Sequence, residues 1–202
     1  YAVNNLSILV YGVNMKQEKP DLPSLRITLV EQALAMVERG EEDVSLRAVA
    51  RAAGVSAMAP YRHFADKTAL LGAVALRGFI MMAERAAAAD DHPDPAQALI
   101  RQGQSYIAFA REKPSLFRLM FMDPAGKSLP PSDSADGYRR LAARVASLAH
   151  PDELESATLA CWGVVHGLAT LALDGRIMPD LAREAEALAL LPRAISAHRV
   201  NT

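Results

Sequence analysis

Apolar residues recur at helical spacing along most of the chain, and the alternation at every second residue that a half-buried strand requires is nearly absent. The first stripe, Leu25, Leu29, Ala33, Leu34, Met36 and Val37, predicts a helix over 24–40 with Ser24 as N-cap and Gly40 as its stop. A second begins at Ser45, which can cap it, and puts Leu46, Val49, Ala50 and Ala53 on one face. Gly54 ends this helix, because glycine reaches a left-handed φ without a Cβ penalty, and Val55 plugs the turn. Ser56 can then cap a short helix over 57–64. Asp66 caps a long helix carrying Leu70, Leu71, Val74, Phe79, Met82 and Ala86 to about residue 89. Beyond a turn cluster at 90–95 the pattern predicts helices over 96–112, stopped by Pro114, and over 115–122. Residues 123–137, rich in Pro, Gly, Ser and Asp, read as a long mobile loop. Further helices follow over 138–149, over 153–174 between Asp152 and Gly175, and over 181–198 from Asp180, with a kink expected at Pro192.

The expected fold is therefore all-α. An extension over 1–23 precedes a three-helix head over 24–70, and the long helix joins the head to a helical body over 71–202. The pair of helices around Gly54 is a helix-turn-helix pattern. Its second helix is small at the start and polar, basic and aromatic towards the end, as suits an element that meets base edges first and phosphates later.

Ser45-Leu46-Arg47, Ala53-Gly54-Val55-Ser56, Tyr61-Arg62-His63-Phe64, Asp66-Lys67 and Leu70-Leu71 together resemble the DNA-binding domain of the tetracycline-repressor (TetR) family over residues 25–74. Ala59-Pro60-Tyr61-Arg62-His63-Phe64 looks like one branch of it, and Trp162-Gly163-Val164-Val165-His166-Gly167 resembles the Trp/His-Gly motif of that branch's C-terminal domain. The resemblance implies a DNA-binding set of Ser45, Arg47, Ser56, Ala57, Met58, Ala59, Tyr61, His63 and Lys67. Within it Arg47 reaches a guanine edge, residues 57–59 touch thymine methyls, Tyr61 and His63 meet backbone or bases, and Lys67 meets a phosphate. Phe64 reads better as a core residue, and Arg51 and Arg62 as solvated charges. The resemblance also implies a homodimer on a near-palindromic operator and a small-molecule effector bound in the body.

Charge agrees locally. The whole chain carries a net charge of −1, so it is no polyanion binder by composition. Between residues 44 and 67, however, Arg47, Arg51, Arg62 and Lys67 face only Asp66, while Glu41, Glu42 and Asp43 lie just upstream. Lys16 and Lys19 could form a basic arm, although a solvated tail fits them as well. Residues 1–14 read as an extension, since Met15 opens a natural-looking start. No basic, apolar leader precedes it. The single cysteine, Cys161, excludes an internal disulfide and reads as a buried thiol. The apolar run over 157–173 is short for a bilayer and reads as a core or interface helix, so a cytoplasmic protein without a membrane partner is expected.

Catalytic chemistry has little footing. The chain has no phosphate loop or nucleophile elbow, and its histidines are scattered. No metal, cofactor or enzymatic activity is expected. The bulky residues of the body, Tyr106, Phe109, Phe117, Met120, Phe121 and Trp162, fit a core, or the wall of an apolar pocket with His166 as its polar anchor. The helix over 153–174 is apolar nearly all round and needs cover on every side. A partner subunit supplies this if Leu181, Ala185, Leu188 and Leu191 of the last helix join the interface. The expected function is a DNA-binding transcriptional regulator, a repressor released by a largely apolar ligand. The rival is a helical ligand-binding protein or enzyme whose head is structural only.

Overall fold

The structure is a computed structural model that describes residues 24–122 and 131–199. Every regular element among the described residues is helical. The α-helices are α1 (Leu25–Glu38), α2 (Leu46–Ala52), α3 (Lys67–Ala89), α4 (Pro95–Glu112), α5 (Pro114–Phe121), α6 (Pro131–Ala146), α7 (Leu154–Leu173) and α8 (Leu181–Arg199). Short 3-10 turns occupy Pro60–Arg62 and Pro151–Glu153. The extension over 1–23, with Lys16 and Lys19, lies outside the described residues.

One apolar cluster runs through the molecule. It takes Leu29, Ala33 and Leu34 from α1, Leu46 and Val49 from α2, and Leu70, Val74 and Phe79 from α3. It continues through Ile107 and Phe109 of α4 and Leu116 and Met120 of α5 to Val165 of α7 and Leu188 of α8. Leu99, Val145, Leu148, Ala149 and Cys161 form a smaller cluster at the far end of the body. Head and body therefore share a continuous interior, and the expected boundary at 70/71 falls inside α3.

Local signals account for most helix ends. The Ala48 amide donates to Ser45 Oγ (3.2 Å), the Ala69 amide to Asp66 Oδ1 (2.8 Å), and the Ala182 and Arg183 amides to Asp180 Oδ1 (both 3.1 Å). Gly54, at φ +69°, turns the chain between α2 and the segment after it.

Five expectations need correction. Ser24 makes no side-chain cap; only its carbonyl bonds, accepting from the Thr28 amide. Residues 57–64 do not form an α-helix. Pro60 offers no N–H, and its ring would clash with the carbonyl four residues back, so only a 3-10 turn forms from Pro60 to Arg62. The long loop ends earlier than expected, because Pro131 starts α6 and suits a first helical turn. At Pro151 the helix opens with a 3-10 turn, and His150 Nδ1, rather than Asp152, accepts from a backbone amide there. Finally, α5 begins at Pro114 itself, so Pro114 starts one helix as well as following another.

By length and composition Pro151–Leu173 could cross a bilayer, with 22% of its most apolar window buried. It packs instead on α4, α6 and α8, and Thr158, Cys161, Val165 and Ala169 are its buried side chains.

A buried ion pair ties α4 to α8. Glu184, with a side chain 8% exposed, meets Arg111 through Oε2, and its buried Oε1 has no hydrogen-bond partner. Removing the cation strands a carboxylate inside the body. Arg111→Met should therefore lower unfolding free energy by about 3 kcal/mol, read as a lowered urea midpoint at constant m-value. An unchanged midpoint would show that the pair holds nothing.

Candidate functional site

Two surfaces stand out, one on the head and one inside the body. In the head, the segment after Gly54 is held by two inward residues. Pro60 is fully buried and Phe64 is 3% exposed, with the Phe64 amide donating to the Pro60 carbonyl (2.9 Å). Arg26 lies 5.2 Å from the Phe64 ring centroid and covers it from outside. The intervening side chains are thereby turned outward. Ser56, Ala57, Met58, Tyr61, Arg62 and His63 are exposed, and so are Arg47 on α2 and Lys67 at the start of α3. Ala59 and the cap Ser45 are half-buried at the edge. Met58 keeps 68% of its surface in contact with solvent, an unusual position for a large apolar side chain and one suited to a methyl group in a groove. The residues expected to meet DNA are thus exposed, apart from half-buried Ser45 and Ala59, and Arg62 is exposed with them.

The body encloses a cavity of about 450 Å³ between α3, α4, α6, α7 and α8. Phe79, Met82, Ala83 and Ala86 of α3 form one wall, and Leu99, Gln102, Gly103 and Tyr106 of α4 another. Cys161, Trp162 and Val165 of α7 face them, Tyr138 and Leu141 of α6 stand on one side, and Phe121, Leu188 and Leu191 line it too. Gly103 matters to this shape: a Cβ there would sit 2.9 Å from Leu188 Cδ2, so α4 and α8 approach only without one.

Of the expected ligand residues, Tyr106, Phe121 and Trp162 line the cavity. Phe109, Phe117 and Met120 are buried behind the wall as core. His166 also stands behind the wall, its ring 4.6 Å from Phe121 and 6.2 Å from Trp162 by centroid. The Tyr106 hydroxyl lies 2.9 Å from His166 Nδ1. Burial lowers the His166 pKa, favouring the neutral ring. Burial also pushes the Tyr106 phenol up, opposed by a hydrogen bond from Trp162. Tyr106 and His166 thus form a hydrogen-bonded polar pair at the edge of the cavity. Cys161 is buried on the wall, and burial pushes its thiol up to about 11, so it stays protonated and unreactive. Gln102, Met82, Tyr138 and the α8 leucines were missed from sequence. Only Gln102 left a signal there, as the polar member of the α4 stripe with Leu99, Gly103 and Tyr106.

The cavity and the head meet through shared elements. α3 carries Lys67 at its first residue and Phe79 on the cavity wall. Phe121 of α5 packs edge-on against Phe79 at 5.4 Å, and α5 packs on α1 of the head. Arg77 of α3 bonds Glu31 of α1 (3.1 Å), and Lys113 pairs with Glu38.

The outer side of α7 is apolar and uncovered within the chain. Leu159, Val164 and Leu171 are 58%, 37% and 44% exposed, and Gly163 and Gly167 border open space. On α8, Leu181 and Leu190 point outward. Leu188 and Leu191, expected at an interface, instead line the cavity, with Leu188 packed against Gly103 of α4.

Both halves match known protein families. Residues 31–74 match the bacterial regulatory proteins of the tetR family, and residues 99–191 match the tetracyclin repressor-like C-terminal domain. Among solved structures, a protein of unknown function from Rhodococcus sp. RHA1 is 25% identical with a TM-score of 0.73, covering 89% of this chain and all of that one. A TetR family transcription regulator from Marinobacter aquaeolei VT8 is 21% identical with a TM-score of 0.59, covering 84% of this chain and 94% of that one. A TetR variant from Acinetobacter baumannii AYE in complex with minocycline is 22% identical with a TM-score of 0.63, covering 88% and 95%. With head and body matching the same family in chain order, the chain belongs to the TetR family of DNA-binding transcriptional regulators.

Proposed function

We propose that this regulator is a homodimeric repressor that leaves its operator when a small, largely apolar molecule occupies the body cavity. The observation that carries the reading is α3, a single helix that begins at the DNA-facing Lys67 and lines the cavity from Phe79 onward, about 18 Å further along its axis. A ligand that pushes α3 or α5 must move the head, since both helices pack on α1. The ligand then favours the arrangement of two heads that no longer matches successive major grooves. The minocycline complex of the Acinetobacter relative supports a ligand-holding body. The protein works without catalysis, in the cytoplasm.

On the head, Arg47 reads a base edge, residues 57–59 with Tyr61 and His63 lie along the groove, Ser45 and Ser56 flank it, and Lys67 holds a phosphate. The dimer forms through the uncovered side of α7 with the outward residues of α8, and half-sites lie about one helical turn apart, roughly 34–36 Å.

Arg47→Ala should lose discrimination at one base pair per half-site, about 1–3 kcal/mol per contact. Lys67→Ala should weaken all sequences alike and flatten the salt slope. Competition titrations on randomised sites separate the two, and a uniform loss for Arg47→Ala would contradict base reading. For assembly, Ala160→Glu places a charge on the outer side of α7 and should give monomers in sedimentation at micromolar concentration. A wild-type monomer under the same conditions would remove the dimer. For the ligand, Trp162 emission should change on binding. Effector and operator should weaken each other by the same factor, typically about 5–150-fold. Inducers that leave the emission untouched would place their site elsewhere.

A further inference from the structure

The polar groups on the cavity wall are few, and their hydrogen bonds can be followed individually. Among the described residues, none on the wall carries a formal charge. The nearby cations of the body already have partners: Arg85 pairs with Glu112, Arg111 with Glu184, and Arg144 with Asp90. The Tyr106 hydroxyl is engaged by His166 Nδ1, 2.9 Å away. That leaves Gln102. It lines the cavity from α4, it is 7% exposed, and its Nε2 is buried without a hydrogen-bond partner. A buried amide N–H without an acceptor is costly, and a guest that supplies one recovers that cost.

We infer that the cavity selects an uncharged, largely apolar molecule bearing one hydrogen-bond-acceptor oxygen, and that Gln102 is the residue that reads this oxygen. A carbonyl or ether oxygen accepts from Nε2 while its carbon frame lies against Phe79, Met82, Phe121 and Trp162. A carboxylate would bring a charge against described wall residues that carry no cation, and an ammonium would find no carboxylate among them. Either loses hydration that one neutral amide cannot replace. The inference deepens the ligand-gated reading above and rests on it for its biological meaning, but it concerns binding alone.

Four naphthalenes of nearly equal shape test it: the acetyl, ethyl, carboxylate and aminomethyl derivatives, titrated by calorimetry against the full chain. The acetyl compound should bind about tenfold tighter than the ethyl compound. Both charged compounds should bind at least about tenfold more weakly than the acetyl one. Gln102→Met keeps the length of the side chain and removes the donor, so it should bring the acetyl compound down to the ethyl level and leave the ethyl compound unchanged. Gln102→Leu serves the same purpose should the methionine collapse into the cavity. The inference is overturned if a charged compound binds as tightly as the acetyl one, if both variants keep the acetyl preference, or if none of the four binds. Operator titrations on the same samples separate the two ideas. Selective acetyl binding with unchanged operator affinity defeats ligand gating and leaves the Gln102 assignment standing. Operator release by a charged compound, or release indifferent to both Gln102 variants, defeats the assignment and leaves gating standing.

Discussion

The stiffness of α3 is the constraint on which the other parts depend. An α-helix closes every backbone bond internally, so it resists bending where no proline, bulge or inserted group interrupts it. Along one side of α3, Leu70, Val74, Ala75 and Phe79 are buried in a cluster that reaches α1, α2, α4 and α5. This burial makes the head an outgrowth of the body interior. The ion pairs across the junction, Arg77 with Glu31 and Lys113 with Glu38, are partly exposed and worth little as glue. Packing of α1 on α3 and α5 supplies the strength of the junction.

Within the body, close approach and openness are arranged by small residues. Gly103 lets Leu188 and Val165 come within contact of the α4 backbone, and Gly78 does the same for Met120 against α3. These contacts pin α4 to α7 and α8, and α3 to α5. The space between the pinned pairs is the cavity. Its walls are apolar because each helix around it turns a buried stripe inward, and its polarity is concentrated in a few side chains that the stripes could not exclude.

Much of this was legible in the sequence because it is local. Ser45, Asp66 and Asp180 cap helices, and Gly40, Gly54 and Gly175 reverse φ, for reasons contained within a few residues. The family motif named exposed candidates among residues 56–63, and their outward arrangement follows from Pro60 and Phe64 pointing in. The same Pro60 made the helix over 57–64 illegible, since the apolar spacing was satisfied while the backbone bond was not. Side selection in the body was harder. Met120 and Phe121 are neighbours on α5, yet one is core and the other cavity wall. Leu188 and Leu190 on α8 diverge in the same way, one inward and one to solvent. Helical periodicity separates two sides of a helix, but which side meets a void depends on partners far away in the chain. Gln102 was hidden for that reason: a polar residue in an apolar stripe has meaning only when the space in front of it is known.

The recognition segment carries its own evolutionary consequence. Its shape is held by Pro60 and Phe64, which never face outward, while residues 57, 58, 61, 62 and 63 contribute almost nothing to the interior. Proline also narrows the unfolded chain's choices, so the turn keeps its form without relying on outward side chains. Where these outward residues read the operator, as proposed above, sequence preference and structural integrity fall on different residues, and descendants of this chain can change the operator they recognise by drifting at the outward positions, without passing through unstable intermediates.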